Sequence, residues 1–184
     1  SQDRLDISGI AVFKDGKLKG FLEGDDAMAF LWVSEKTKAG VFTLKFPRDV
    51  VVGGEKIKNG EVTLWVVGVK SRPKVRREGG RFGFDIDLFI TAQLLSATGV
   101  RFYPWRVELL KFVSRKAEEE VEAMARRMFK KLQEELKTDA LSLGEFVRRK
   151  FPGEWDPRRW KEGFPEVEIR VQAHVDLKEL TFIY

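Results

Sequence analysis

The chain has 184 residues, 43% of them hydrophobic, with 34 basic and 29 acidic side chains, a net charge of +5, one histidine and no cysteine. Without cysteine there are no disulfides, thiolate nucleophiles or thiolate-ligated metals, and one imidazole leaves little for a histidine metal centre or a Ser-His-Asp arrangement. No run of 18 or more uncharged apolar residues occurs, and the opening SQDRLDIS has neither the basic start nor the apolar core of a secretion signal, so the expectation is one soluble domain over residues 1–184.

The first elements are β-rich. Residues 10–13 and 18–22 flank Asp15-Gly16, a two-residue turn that tolerates positive φ and fixes hairpin register. Acids at Glu23, Asp25 and Asp26 then precede AMAFLWVSEK, and acids in a first helical turn complement its dipole. The spacing predicts a helix that puts Ala27, Phe30 and Leu31 on one side and ends near Gly40. Residues 41–46 alternate as a strand. A turn-rich connection carrying Gly53-Gly54 and Asn59-Gly60 leads to β-rich residues 61–69. Glu78-Gly79-Gly80 turns the chain into residues 82–95, where Phe82, Phe84, Ile86, Leu88, Ile90 and Ala92 alternate with Gly83, Asp85, Asp87, Phe89 and Thr91. These two long strands are expected to pair as antiparallel neighbours.

Pro104 is placed to open a long helix over residues 105–137. Leu110, Val113, Ala117, Val121, Met124, Met128, Leu132 and Leu136 recur at threes and fours, giving one apolar stripe. Ser142 and Glu145 then stand at the spacing of a capping box, so a short helix should begin at Leu143, bury Phe146 and Val147, and stop before Pro152. Trp155, Trp160 and Phe164 supply large apolar surfaces to what reads as an irregular loop pinned to the core, although aromatics also anchor interfaces. After Pro165, residues 167–177 alternate apolar and polar, the pattern of a strand with one wet side. The fold class is therefore α+β: a curved antiparallel β-sheet with a long helix and shorter helices packed on one face.

Three pieces of this order carry a family likeness. GIAVFKDGKLKGFL opens as a basic hairpin. LQEELKTDALSLGEFVRRKFP runs through Gln133, Asp139, Gly144, Arg149, Lys150 and Pro152. The pair Trp155 and Trp160 then leads through Phe164-Pro165 into the last strand. Together they resemble the C-terminal domain of the Ger(x)C family of spore germination proteins, the lipoprotein subunits of germinant receptors. Asp25-Asp26 departs from the Glu-Thr pair of the family pattern, and the end LKELTFIY lacks its glycine. The resemblance implies a structural signature in Asp139, Gly144, Pro152, Trp155 and Trp160. It also implies a fragment of a longer protein, lipid-anchored on the extracytoplasmic side of the spore inner membrane, whose partners are the integral-membrane receptor subunits A and B.

The residues themselves point to little chemistry. His174 falls on the polar side of the last strand. Asp85 and Asp87 share a strand face, a geometry open to a hard cation or to acid/base work, or simply to cross-strand pairing with basic neighbours. No glycine cluster has phosphate-cradle spacing, and no cofactor is expected. The basic run KSRPKVRREGGR is the distinctive charge feature: Lys74, Arg76, Arg77 and Arg81 are candidate contacts for a partner or an anionic membrane surface. The reading is a non-catalytic domain acting in receptor assembly and nutrient-triggered germination, with no nucleic acid expected. The alternatives are a basic module for nucleic acid or polyanions, and an enzyme using Asp85, Asp87 or His174.

Overall fold

A computed structural model of the chain describes residues 9–46, 50–52, 55–57, 60–98 and 107–178. The start of the long helix at Pro104, the Gly53-Gly54 turn, Asn59 and residues 179–184 lie outside them.

The hairpin pairs β1 (Ile10–Lys14) with β2 (Lys17–Leu22), and both turn residues have positive φ, 53° at Asp15 and 73° at Gly16, the geometry that matches strand twist. Helix α1 (Gly24–Val33) follows with Asp25 and Asp26 in its first turn. It stops at Ser34, well before Gly40, and buries Ala29, Trp32 and Val33 with Ala27, whereas the sequence reading placed Phe30 and Leu31 inward. Trp32 decides the orientation. Its ring meets Phe42 edge-on at 5.7 Å, and its indole nitrogen donates to the Ala39 carbonyl at 3.2 Å.

Strand β3 (Gly40–Lys45) leads past the small β4 (Val50–Val52) and β5 (Glu55–Ile57) pair into two 18-residue strands, β6 (Glu61–Glu78) and β7 (Arg81–Thr98). These are antiparallel neighbours, as their alternation predicts, joined at Gly79-Gly80. The central sheet has the order β3-β6-β7-β8, where β8 is Glu168–Lys178. It is not wholly antiparallel: β8 runs parallel to β7, Phe84 beside Ile169 and Ile90 beside Val175. A crossover of helices separates the two strands, so the parallel pairing is sterically natural.

That crossover begins with α2 (Val107–Lys130), which buries Leu109, Val113, Ala117, Val121, Met124, Ala125, Met128 and Phe129 against the sheet. Its last turn widens to a π-helical stretch, Lys131–Glu135, and the chain reverses at Lys137 with φ 46°. Next come α3 (Leu143–Lys150), a 3-10 turn at Pro152–Glu154, α4 (Pro157–Gly163) and a second 3-10 turn at Phe164–Glu166. Residues 152–166, expected to be irregular, are thus mostly helical. Asp156 caps α4 by accepting from the Arg158 and Arg159 amides, and Pro157 occupies its first turn.

The core lies between the helices and one side of the sheet: Leu64, Phe84, Ile86, Leu88 and Ile90 are buried there with Trp32, Met124 and Met128. On the rim, β8 directs amide hydrogens of Ala173 and Val175 to the carboxylates of Glu122 and Glu118 on α2, at 3.1 and 3.0 Å. Among the described residues the other side of the sheet carries no helix.

Candidate functional site

The signature residues assemble into a corner between α2, α3 and α4. The π-helical turn aims Gln133 at the end of the crossover, where its amide nitrogen donates to the carbonyls of Phe164 and Val167 at 2.9 and 2.8 Å. Asp139 spends both carboxylate oxygens on the start of α3: Oδ1 accepts from the Leu143 amide and Oδ2 from the Gly144 amide, each at 2.8 Å. Oδ2 also accepts from the Trp160 indole nitrogen at 3.0 Å. The expected capping box does not form. Ser142 sits in the left-handed region at φ 56° with no side-chain cap bond, and Glu145 pairs with Arg148. Helix α3 nonetheless begins at Leu143 and ends before Pro152, with Val147 buried and Phe146 half-buried.

Gly144 is required by space. A β-carbon there would lie 2.5 Å from the Trp160 indole nitrogen and 2.8 Å from the Trp155 ring. Trp160 is the hub, its ring centre 6.0 Å from Trp155, 5.9 Å from Phe164 and 6.2 Å from Phe84 of the central sheet. Asp139, Gly144, Trp155 and Trp160 are therefore one contact set that fastens the crossover to β7, with Pro152 ending α3. Its polar groups are bonded to one another, Asp139 to two amides of α3 and to the Trp160 indole.

The basic run lies along β6, facing the helix-free side of the sheet at Lys74 and Arg76. Acids answer it diagonally across the ladder. Lys74 bonds Asp87 at 2.8 Å, and Arg76 spreads over Glu78, Asp85 and Glu168 at 3.0, 2.9 and 3.1 Å. The Nε of Arg76 is too misaligned toward Asp85 for a hydrogen bond, so that contact is Coulombic. Arg77 pairs with Glu154 at 2.8 Å, tying β6 to the corner. Arg170 joins Glu168 at 2.7 Å. Arg81, beside the Gly79-Gly80 turn, lines a groove of about 530 Å³ with Phe82, Trp155, Trp160, Arg159 and Glu166.

These bonds shift the carboxyls in the direction their partners dictate. Lys74 holds Asp87 below its ordinary range against an opposing effect of partial burial, helped by His174 and Arg72. Arg170 first, then Arg76, lowers Glu168, and the Glu168 bond in turn raises Arg76. His174 stacks on Phe89 at 4.8 Å with its Nε2 4.0 Å from Asp87, and Arg72 covers the opposite strand's Phe89 ring at 4.9 Å. Among the described residues no group of three histidine, aspartate or glutamate side chains is placed to hold a metal ion, and no helix is long and apolar enough to cross a membrane.

At the far end of the same open face the charges give way to apolar side chains. Trp65, 46% exposed, pairs across the ladder with Val41, and Val67 and Leu95 stand exposed nearby. The last two sit where the β6–β7 register slips, at irregularities that leave them without a partner in the ladder. The sequence reading missed this patch; the signal was two apolar residues falling out of phase with the strand alternation.

Fold and corner together define an α+β module with a helix-backed core and one open sheet face. A family model described as "Spore germination B3/ GerAC like, C-terminal" matches residues 8–180, and the chain belongs to that family. The crystal structure of the GerBC protein has the same fold, with a TM-score of 0.78 at 22% identity; the match covers 92% of this chain and 51% of GerBC. No curated protein matches the chain. The chain is thus a germinant-receptor C-subunit type of domain, spanning about half the length of the solved relative.

Proposed function

We propose that this chain is a non-catalytic docking domain of a germinant-receptor C subunit, acting in receptor assembly during nutrient-triggered germination. In this reading it is one unit over residues 1–184, the C-terminal part of a lipoprotein at the spore inner membrane, and its partners are the integral-membrane subunits A and B. Family membership supports the context, and the family description itself says C-terminal.

The observation that carries the docking role is the make-up of the open sheet face. An apolar end, Val41, Trp65, Val67 and Leu95, runs into charges that are already paired, the mixture expected of a protein interface with an apolar centre and polar rim. Lys74 and Arg76 would frame that interface, with Arg77 and Arg81 at its corner-facing edge. The same pairing counts against a polyanion ligand, because phosphates would have to displace Asp85, Asp87, Glu154 and Glu168 from their cations.

The test is co-purification of the lipidated full-length protein with subunits A and B. Trp65→Asp combined with Leu95→Asp should abolish capture while leaving the melting temperature within a few degrees, because both side chains are exposed. Capture that persists after deletion of residues 9–178 would end this reading.

A further inference from the structure

The β1–β2 hairpin presents a second surface that the receptor-docking face does not use. Its inner side packs Val12 and Leu22 into the core. Its outer side exposes Phe13 by 59%, Leu18 by 50% and Phe21 by 52%. Phe13 lies directly across the ladder from Leu18, and Phe21 opposes Ala11, so the three large side chains form one short row. A row of this size left in water on a two-stranded hairpin is an unfavourable arrangement unless something covers it.

The charges around the row indicate what covers it. Lys14 follows Phe13, and Lys17 and Lys19 flank Leu18. The hairpin's one carboxylate, Asp15, is engaged by Lys161 from α4, and that bond holds it below its ordinary range. The Lys14 ammonium donates to the Lys137 backbone carbonyl, which leaves Lys17 and Lys19 as the cations beside Leu18. The nearby acids of the corner are committed elsewhere, Asp139 to the start of α3 and Glu145 to Arg148. Apolar side chains with lysines at the turn end, and Glu23 at the opposite end beyond Phe21, match a layer that offers acyl chains below and phosphates above. The rings enter the boundary, and the lysine stems lie along it with their heads at the phosphates. A soluble polyanion would leave the Phe13, Leu18 and Phe21 row wet.

We propose that this hairpin is a contact site for an anionic phospholipid surface. It does not depend on the docking role of the sheet face. The test uses the purified 184-residue chain and sedimentation with vesicles of roughly one-third phosphatidylglycerol in phosphatidylcholine, against phosphatidylcholine alone. Binding is expected to the anionic vesicles only, and to weaken with added salt. F13S/F21S should weaken it about tenfold or more, and K17A/K19A roughly 10- to 30-fold. K74A/R77A on the sheet side should leave it unchanged, and circular dichroism melts of all variants should stay within a few degrees of the parent. In Leu18→Trp, the introduced indole should be quenched by lipids brominated in the acyl chain.

Absence of binding to the anionic vesicles overturns the proposal. So does binding that the hairpin variants do not alter, or that K74A/R77A weakens as much as K17A/K19A. If F13S/F21S instead abolishes capture of subunits A and B while the parent chain ignores vesicles, the row is a protein contact and the lipid assignment is wrong. Vesicles contain no receptor subunit, so this proposal and the docking role of Trp65 and Leu95 fail in different experiments.

Discussion

The α3–α4 corner and the charge lattice on β6–β7 both consist of polar groups bonded to one another, yet they differ in what each bond is worth. In the corner, Asp139, Gln133 and the Trp160 nitrogen make half-buried bonds that water cannot readily replace, and only glycine fits at position 144 because Trp160 and Trp155 leave no room for a side chain. On the sheet, Lys74, Arg77 and Glu168 are largely exposed, and exposed ion pairs contribute about 0–1 kcal/mol each. The lesson is that the charged stretch, which stands out in the sequence, is tolerant at Lys74 and Arg77, Arg76 being its one largely buried cation. The modest residues Gln133, Asp139 and Gly144 are the demanding ones.

The sharpest way to break this contrast is Trp160→Ala, which empties the space shared by Phe84, Trp155 and Phe164 and should cost about 3–5 kcal/mol in denaturant unfolding. A loss under about 1 kcal/mol would put the corner on the same footing as the lattice. Asp139→Ala comes next at roughly 1–3 kcal/mol, because it strands the first amides of α3 and the indole donor together. Ser142→Ala, the residue the capping-box spacing favoured, should change stability by no more than about 0.5 kcal/mol. Equal losses at both positions would restore the serine as the cap.

A similarly small effect is expected on the sheet face, where Lys74→Ala should cost about 1 kcal/mol or less. Its pH signature gives the sign. Asp87 and Glu168 have folded pKa values below their unfolded ones, so their contribution is complete above the ordinary carboxylate range near 4 and disappears as pH falls through the lowered values. Melting temperatures should therefore decline below about pH 4, and by less in Lys74→Ala because Asp87 has lost the bond that lowers it. A decline identical in parent and variant would remove the lattice from the account.

Much of this was legible wherever a local pattern has one physical solution. Asp15-Gly16 and Gly79-Gly80 mark tight turns between alternating runs, and the α2 stripe from Val113 to Leu136 can face only one way. Where two solutions share a pattern, the sequence was silent. Alternation in residues 167–177 is the same read in either direction, so the parallel run of β8 beside β7 could not be seen. Helix α1 is apolar on most sides, and only the Trp32–Phe42 contact chooses its face. The three-residue spacing of Ser142 to Glu145 looks the same whether the serine or an upstream aspartate does the capping. Asp156-Pro157 did carry a helix-start signal, an N-cap acceptor followed by proline in the first turn, hidden by the surrounding tryptophans and prolines. The docking patch around Trp65 depends on register slips at Val67 and Leu95, and the hairpin row depends on which side of two strands meets the core. Both are properties of pairing rather than of any single segment.

The carboxylates of Glu118 and Glu122 occupy the amide hydrogens that β8 would otherwise offer to an incoming strand. At those two positions β8 is already bonded to α2, and among the described residues β3 has β6 as its one strand partner. An added strand would meet fewer obstacles beside β3, next to Val41 and Trp65, than at the middle of β8, where two amides are taken by the helix.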